Sequence, residues 1–385
     1  METYLLSHEL CTPLVGVMLE VAYDIALANL RRYIREAIKE WIRIDIAKTY
    51  PVAGGISGAG VHYVSAYLSF PGLSIEKFPV DFVVKFSEKR TFDLEQQKYM
   101  KLSDEIKQYF INFTAITKQI TDEFCMIMEH LKGFQTLELI LYTTPMQVGL
   151  EDLMQKVVSV LGSVHKERVD SDRLQNVGKQ ANAFRLYLTD IANNIYKSLK
   201  KHGTILTHLY DQNLIVNGSR VSSLQESFAQ VCENWKRFNP GAAMTMHGDC
   251  HARNIMVNPR TLDLKFIDID KMDERGDYIY DFGELLADLE TFGYILGTRR
   301  FSVVVKNKNN YDYSIEPPNT VKEACIFILN RMNDLNENDK RRLKLAKARY
   351  LLGLLPDLSS YDNERVVATY LEAVRIMNDL ANSLR

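Results

Sequence analysis

The sequence has few cysteines, no marked excess of charge of either sign and no long apolar run. Its five cysteines are scattered and never form a C-x-x-C pair, which argues against a disulfide framework or a zinc knuckle and favours a reducing compartment. The formal charge of -2 argues against nucleic acid as the main partner. No apolar stretch is long enough to cross a bilayer, and the first residues lack the basic region of a secretory signal. We therefore expect a cytoplasmic protein whose partner is neither nucleic acid nor a membrane.

The pattern of apolar residues changes along the chain of 385 residues, which is longer than one average domain. Apolar residues spaced by three and four from Val21 to Ile44 predict an amphipathic helix that ends near Pro51. Residues 54–72 and 78–86 are rich in Val, Tyr and Phe and contain Gly and Pro, which is typical of strands joined by turns. Residues 92–106 return to a helical pattern.

A short apolar run at residues 123–131 predicts a buried strand, and the chain beyond about Gly133 is mostly helical in pattern. Residues 299–319 interrupt these helices with a predicted hairpin around Asn309 and Asn310. A strand-rich part followed by a helix-rich part predicts an α+β fold with two lobes. We divide the chain into a helical extension, a β-rich N-lobe and a large helical C-lobe, at residues 1–45, 46–130 and 131–385.

Residues 246–257, MHGDCHARNIMV, gather polar side chains immediately before an apolar strand. Two short apolar segments, 255–257 and 264–267, flank an Asn-Pro-Arg turn and predict a hairpin. The entry of this hairpin carries Asp249 and Asn254 and its exit carries Asp268, so these side chains are expected to converge. Their oxygen atoms suit a hard cation such as Mg²⁺.

Two other metal assignments are weighed against this one. Asp270 is a competing carboxylate ligand for the same cation. His247 and His251 have the i, i+4 spacing of a zinc pair, but the H-E-x-x-H glutamate and a helical context are missing. The sequence therefore favours oxygen ligands over a zinc site.

Residues His247 to Ile255 resemble the H-G-D-x-H-x-x-N-I motif of the aminoglycoside phosphotransferase and choline kinase superfamily. Residues 266–281, FIDIDKMDERGDYIYD, resemble the I-D and G-D-x-x-Y-D segment that follows in that superfamily. The resemblance implies the bilobal protein-kinase-like fold, with a small β-rich N-lobe and a large mainly helical C-lobe. It also implies that Asp249 is the catalytic aspartate and that Asn254 and Asp268 hold Mg²⁺ against the phosphates of ATP.

The same resemblance implies a nucleotide site in the N-lobe. Lys85 resembles the lysine that contacts the α- and β-phosphates, Glu95 resembles its glutamate partner, and backbone groups near Glu129 and Leu131 resemble the hinge that binds adenine. The alternative for Lys85 and Glu95 is a pair of solvated surface charges. The glycine-rich segment before them resembles a hairpin lid over phosphates, or else is an ordinary surface turn. Its candidate binding residues are Gly55, Ser57, Gly58 and Gly60.

Asp281, Phe282 and Gly283 spell the D-F-G of protein kinases, but Asp268 has the spacing expected of the metal-binding aspartate. Glu284 lies three residues after Asp281, which predicts that Asp281 is the N-cap of a helix with a capping box. Gly276 and Asp277 are then expected to brace the loop.

Three further residues are assigned from their place on predicted helices. His165, at the end of its helix, is predicted to act as a cap. Asp288 and Glu290 follow the motif on a predicted helix, where they either line an acceptor site or are simply solvated.

The sequence thus predicts an ATP-dependent phosphotransferase that acts on a hydroxyl group of a small molecule. Aminoglycosides, choline and sugars all remain open as acceptors. One alternative is a protein serine/threonine kinase of the same fold, against which stands H-G-D in place of H-R-D. The other is a non-catalytic nucleotide-binding protein, which the presence of all five motif residues disfavours. Those residues are Lys85, Glu95, Asp249, Asn254 and Asp268.

Overall fold

The chain folds into two compact units, Met1–Gly133 and Phe134–Arg385. The predicted N-terminal helix up to residue 42 and the glycine-rich residues Gly55, Ser57 and Gly58 lie outside the described residues. The computed structural model describes residues 43–51, 60–69, 78–87, 89–114, 119–120, 123–142, 149–166, 185–238, 244–293, 300–332 and 334–385.

The first unit contains a six-stranded antiparallel sheet in the order β1-β2-β3-β6-β4, with β5 paired to β6. Its strands are β1 (Arg43–Pro51), β2 (Gly60–Ser69), β3 (Phe78–Ser87), β4 (Phe113–Thr114), β5 (Gln119–Ile120) and β6 (Glu123–Glu129). Two helices, α1 (Lys89–Lys101) and α2 (Asp104–Lys107), lie between β3 and β4 in the sequence. Apolar residues of the sheet and the helices form the core. Among them are Val64, Val84, Phe92, Ile106, Phe110 and Met126.

The helix predicted to end near Pro51 is wrong over its last residues, because β1 occupies Arg43–Pro51. From Arg43 onward the apolar residues fall on alternate positions, Ile44 and Ile46, which is the period of a strand rather than of a helix. The strand pairs with β2 from Arg43 to Pro51, and this pairing satisfies the backbone groups on the side that faces β2.

The second unit is mainly helical. Its helices are α3 (Leu137–Tyr142), α4 (Leu150–Lys166), α5 (Asp190–Lys201), α6 (Gly203–Tyr210), α7 (Leu224–Glu233), α8 (Tyr278–Ala287), α9 (Asn319–Arg331), α10 (Glu337–Leu354) and α11 (Asn363–Asn382). Wider π-type turns, Arg185–Thr189 and Asp288–Phe292, precede α5 and extend α8. The α+β class predicted from the sequence is confirmed. No helix among the described residues is long and apolar enough to span a bilayer.

Short strands form three small sheets in the second unit. These strands are β7 (Gln135–Thr136), β8 (Leu214–Val216), β9 (Ser219–Val221), β10 (Met244–Met246), β11 (Ile255–Val257), β12 (Leu264–Phe266), β13 (Asp273–Gly276), β14 (Phe301–Asn307) and β15 (Asn310–Ile315). The sheet orders are β12-β11-β7, β10-β13 and β14-β15-β8-β9. Both predicted hairpins, β11–β12 and β14–β15, are present.

Helix α8 packs closely against helix α10 because a glycine faces the contact. A Cβ atom added at Gly283 would lie 2.4 Å from the Cβ of Ala346 and 3.2 Å from the carbonyl oxygen of Leu343. Both distances are shorter than ordinary van der Waals contact, so only glycine fits at this position. The close approach fixes α8, which carries the buried carboxylates of the candidate site.

We expect Gly283→Ala to lower the free energy of unfolding by about 1–3 kcal/mol, because the added methyl group forces α8 and α10 apart. Gly162→Ala in α4 is the matched control, since nothing lies within 4 Å of its added Cβ. Removing a helical glycine there should instead stabilise the protein by roughly 0.5–1 kcal/mol. Denaturant unfolding of both variants measures the two effects. Equal stability of the Gly283 variant and the wild type would contradict the packing described for α8.

Candidate active site

The loop between β10 and β11 and the segment between β12 and β13 are held together at both ends. Strands β10 and β13 pair on one side, and β11 and β12 pair on the other. Between the pairs, Ile267 N–H donates to the carbonyl oxygen of Asn254 over 3.1 Å. The His247 Nε2 atom lies 3.0 Å from the carbonyl oxygen of Ile267, to which it donates. This double pairing brings residues 247–254 beside residues 267–271.

Two residues of these neighbouring segments, 247–254 and 267–271, have left-handed backbone conformations. Gly248 has φ +81°, and a Cβ atom added there would lie 2.3 Å from the carbonyl oxygen of Lys271. Glycine is therefore required by both conformation and space. Asp268 has φ 58° and ψ 70°, a region that aspartate and asparagine tolerate better than most residues.

Three carboxylates from α8 and its continuation accept hydrogen bonds from backbone N–H groups of the loop. Asp281, Glu284 and Asp288 lie at i, i+3 and i+7, which places them on one helix face, and all three are buried. Asp281 accepts from His247 N–H through Oδ2 and from Gly248 N–H through Oδ1, each over 2.8 Å. Further along the loop the same pattern continues. Glu284 Oε2 accepts from Cys250 N–H at 2.8 Å and Asp288 Oδ2 accepts from Ala252 N–H at 2.9 Å.

The predicted N-cap and capping box at Asp281 are wrong. The N-cap of α8 is Asp277, whose side chain accepts from Ile279 N–H at 3.2 Å, so Asp281 lies within the helix. Asp277 also accepts from the Tyr187 hydroxyl and pairs with Arg342, rather than bracing the loop directly. The loop is braced by Asp281, because its buried carboxylate satisfies two consecutive backbone N–H groups of the loop.

His165 is not a simple helix cap either. Its ring is buried, and Nε2 lies 2.9 Å from Asp281 Oδ2. Because a carboxylate oxygen accepts, the ring donates through Nε2. His165 therefore supports the carboxylate that supports the loop.

The carboxylate of Asp249 is mostly buried and has charged and polar neighbours. Lys271 Nζ donates to Oδ1 over 2.7 Å, Asn254 Nδ2 lies 3.3 Å from Oδ2, and His251 Nε2 lies 3.9 Å from Oδ2. Burial is the largest single effect on the pKa of Asp249 and raises it, but the charge and hydrogen bond of Lys271 together with the nearby His251 and His247 outweigh burial and hold this pKa below its ordinary value. Asp249 is therefore a carboxylate at neutral pH.

Burial determines the direction of the pKa shift of two neighbours of Asp249. It lowers the pKa of His251, although the nearby Asp249 and Asp288 charges favour the protonated ring. It also raises the pKa of Glu284 well above its ordinary value, and the Asp249 charge adds to this effect. Desolvation of the amine lowers the pKa of Lys271, but the Asp249 charge and hydrogen bond, with the charges of Glu284 and Asp270, together raise it above its ordinary value.

Asn254 is oriented so that its amide oxygen faces away from Asp249. Its Nδ2 donates to the Asp249 carbonyl oxygen at 3.0 Å and lies near Oδ2, which leaves Oδ1 without a hydrogen bond to any residue that the structure describes. An amide oxygen and the Asp268 carboxylate are the hard ligands that Mg²⁺ accepts. The residues present therefore fit the predicted cation.

The part of the chain that the structure describes contains no cluster of three or more His, Cys, Asp and Glu side chains that could hold a metal by itself. A cation held by the side chains of Asn254 and Asp268 would need phosphate and water to complete its coordination. His247 has both ring nitrogens engaged, with Ile267 O and Asp249 N–H, and so offers none to zinc.

Lys271 is a site residue that the sequence analysis missed. It lies in the short helical turn Ile269–Lys271 that follows Asp268, and that turn carries its side chain to Asp249. A basic residue three positions after the predicted metal ligand was the available signal. A surface lysine gives the same sequence pattern, so only the fold distinguishes the two.

In the first unit, Lys85 and Glu95 form a buried ion pair. Lys85 Nζ donates to Glu95 Oε1 over 2.6 Å, and the side chains are 8% and 1% exposed. The alternative that both are solvated surface charges is therefore wrong. Gly60 begins β2 and pairs with Phe86, so the chain leaves the glycine-rich segment directly beside Lys85.

The predicted hinge residues lie at the end of β6. The Glu129 side chain accepts from Asn112 through both its backbone N–H and its amide group, at 2.9 and 3.0 Å. Leu131 follows the strand, and no described residue hydrogen-bonds its backbone N–H or C=O. The backbone N–H of Glu129 also donates to the Asn112 carbonyl oxygen, over 3.3 Å.

Comparison of the sequence with models of protein families gives no match, and neither does comparison with curated proteins. The fold, however, is similar to those of solved phosphotransferases. A thermostable mutant of aminoglycoside phosphotransferase APH(4)-Ia in its apo form aligns with a TM-score of 0.53 and 11% identity, over 88% of this chain and 95% of that one. Ethanolamine kinase from Plasmodium vivax aligns with a TM-score of 0.51 and 11% identity, over 96% and 89%.

A third structure is a variant of the thermostable APH(4)-Ia in ternary complex with AMP-PNP and hygromycin B, and it aligns with a TM-score of 0.50. Its identity is 10%, over 88% of this chain and 93% of that one. The chain therefore has the α+β fold of these solved phosphotransferases. The resemblance predicted from the sequence is confirmed at the level of the fold.

We expect Lys271→Met to raise the pKa of Asp249, because burial remains while the main compensating charge is removed. Lys271→Arg is the matched control, since it keeps the cation. In the wild type the folded-state pKa lies below the unfolded one, so the pair stabilises the fold at neutral pH and loses that contribution below about pH 4. Carbon-13 NMR of the carboxyl groups, assigned with Asp249→Asn, follows the titration. An unchanged Asp249 titration in the Met variant would show that Lys271 does not set its charge.

Proposed function

We propose that this protein transfers the γ-phosphate of ATP to a hydroxyl group of a small molecule. The observation that carries the proposal is the arrangement of Asp249, Asn254 and Asp268 around one hairpin, with Asp249 held as a carboxylate. The fold shared with aminoglycoside phosphotransferases and an ethanolamine kinase supports it. Hygromycin B and ethanolamine are accordingly the acceptor chemistries to test first.

Asp249 has the role of orienting the acceptor. Its carboxylate accepts a hydrogen bond from the acceptor hydroxyl and receives that proton as the new O–P bond forms. At the same time the bond from the γ-phosphorus to the bridging oxygen breaks and ADP leaves. Positioning and charge neutralisation supply most of the rate enhancement in such a transfer.

The roles in nucleotide binding are assigned residue by residue. Lys85, fixed by Glu95, is proposed to contact the α- and β-phosphates, and backbone groups at Leu131 are proposed to bind the adenine edge. Asn254 Oδ1 and the Asp268 carboxylate would hold Mg²⁺. When bound, this cation neutralises phosphate charge during the transfer.

The conformation of Gly248 favours a small-molecule kinase over a protein kinase. Protein kinases place arginine at this position of the motif, in H-R-D. Here φ is +81° and a Cβ atom would collide with the Lys271 carbonyl oxygen, so no arginine fits. The loop of this protein is therefore built on a different local geometry.

The direct test is ADP release from ATP and Mg²⁺ with hygromycin B, ethanolamine, choline or glucose as acceptor. We expect at least one acceptor to raise ADP release above the rate with water alone. Asp249→Asn should reduce that rate about 10²- to 10⁴-fold, because the group that takes the hydroxyl proton is lost. Asp211→Asn, at an exposed position, is the control and should leave the rate unchanged.

The outcomes of this test separate the candidate functions. The proposed transfer would be refuted if no acceptor raised the rate of ADP release by the wild type. Equal rates of ADP release by the wild type and Asp249→Asn would refute it as well. Phosphorylation of a generic protein acceptor with none of the four small molecules active would favour a protein kinase. Nucleotide binding without any turnover would favour a non-catalytic binding protein.

The metal assignment has its own test, with Asp268→Asn as the variant and Asp270→Asn as its matched control. Asparagine tolerates the left-handed backbone at position 268, so the fold should survive. We expect Asp268→Asn to abolish the increase in ATP affinity that Mg²⁺ produces, whereas Asp270→Asn retains it. Calorimetric titration with and without Mg²⁺ measures this difference. The reverse result would move the metal ligand to Asp270.

A further inference from the structure

The ring of His251 faces the Asp249 carboxylate without bonding to it. Its Nε2 atom lies 3.9 Å from Asp249 Oδ2, which is too far for a direct hydrogen bond. The other carboxylate oxygen, Oδ1, is engaged by Lys271. The ring therefore points at Oδ2, which accepts a 3.3 Å hydrogen bond from Asn254 Nδ2 and keeps a second lone pair for a substrate.

The position of this ring is fixed by the loop. The His251 carbonyl oxygen accepts from Asn254 N–H over 2.9 Å. The residues on either side, Cys250 and Ala252, donate their N–H groups to Glu284 and Asp288. The backbone on both sides of His251 is thus tied to α8 and its continuation, and the ring is held in place relative to Asp249.

The hydrogen-bonding state of the ring indicates which nitrogen carries the proton. Nδ1 is buried and has no hydrogen-bond partner among the described residues. A buried N–H without a partner is costly, and the nearby Asp249 carboxylate attracts an N–H at Nε2. The neutral ring therefore carries its hydrogen on Nε2, the atom that faces Asp249, and presents a donor with no described acceptor within hydrogen-bonding distance.

We propose that His251 is a second contact for the acceptor hydroxyl, an inference that rests on the proposed function. An oxygen atom about 2.8 Å from both Nε2 and Oδ2 fits across the 3.9 Å that separates them. Nε2–H donates to this oxygen, and the hydroxyl donates its own hydrogen to Asp249. Two hydrogen bonds fix the hydroxyl and direct its remaining lone pair.

The proton balance of the transfer is unchanged by this contact. The hydroxyl proton passes to Asp249 as the O–P bond forms, and ADP leaves with the electron pair of the broken P–O bond. His251 keeps its hydrogen throughout. Its contribution is orientation of the attacking oxygen, which is lost if the donor at Nε2 is removed.

A matched pair of substitutions separates this contact from simple packing. His251→Gln places an amide N–H near the position of Nε2, whereas His251→Leu has similar bulk and no donor. We expect the Leu variant to lose about tenfold to a hundredfold in kcat/KM for the best acceptor among hygromycin B, ethanolamine, choline and glucose. The Gln variant should stay within about fivefold of the wild type, because one donor is restored.

Affinity for ADP with Mg²⁺ and the unfolding temperature are measured on the same proteins. We expect both to match the wild type, since His251 contacts the acceptor and not the nucleotide. His208→Leu, in α6, is the control for replacing a histidine elsewhere in the chain. If the Leu variant fails to fold, His251→Met makes the same comparison with a more flexible side chain.

Each result has a defined meaning. A Leu variant as active as the wild type, or a Gln variant as impaired as the Leu variant, would overturn the contact. So would a parallel loss of nucleotide affinity, which indicates a structural role. Absence of acceptor-dependent ADP release by the wild type would refute the proposed function itself, and the assigned contact with it.

Discussion

The loop that carries Asp249 depends on hydrogen bonds from its backbone to three carboxylates of one helix face. Between β10 and β11 the chain has no regular partner, so its buried N–H groups must be satisfied by side chains. Asp281, Glu284 and Asp288 accept four of them from α8 and its continuation. Hydrogen bonds to charged acceptors are stronger than neutral ones and hold the backbone in one geometry. The placement of every site residue on the loop follows from this contact.

The same contact creates an electrostatic problem. Acidic side chains are buried close together here, and the pKa of Glu284 is raised first by burial and then by the charges of Asp249 and Asp281. Lys271 compensates at the one carboxylate that has to stay ionised, through its 2.7 Å bond to Asp249. Arg253 lies 3.6 Å from Asp288, and Arg349 lies 3.6 Å from Glu284. Both arginines offset the negative charge on this face of the helix. The ionisation of Asp249 thus depends on the charged residues around it, Lys271 above all.

The hairpin that gathers Asp249, Asn254 and Asp268 could be predicted from sequence, because its strands, turn and motif lie within about twenty consecutive residues. The contacts between the loop and α8 could not, since they join residues more than thirty positions apart. Asp281 illustrates the difficulty. Its local pattern is that of a capping box, yet the need to satisfy buried loop N–H groups outweighs that pattern. At the other end of the chain, the alternation of Ile44 and Ile46 was hidden by the helical spacing that precedes it.

Asp288 shows how the support of the loop limits where acceptor specificity resides. Its position after the motif predicted an acceptor-lining carboxylate or a solvated one, but its side chain is 1% exposed. Its Oδ1 accepts from the Tyr350 hydroxyl and its Oδ2 from Ala252 N–H, both over 2.9 Å. A cationic acceptor group would have to displace these bonds and leave buried donors unpaired, at a cost of about 1–3 kcal/mol for each. Asp288 is therefore committed to the loop, and the choice of acceptor must depend on other side chains.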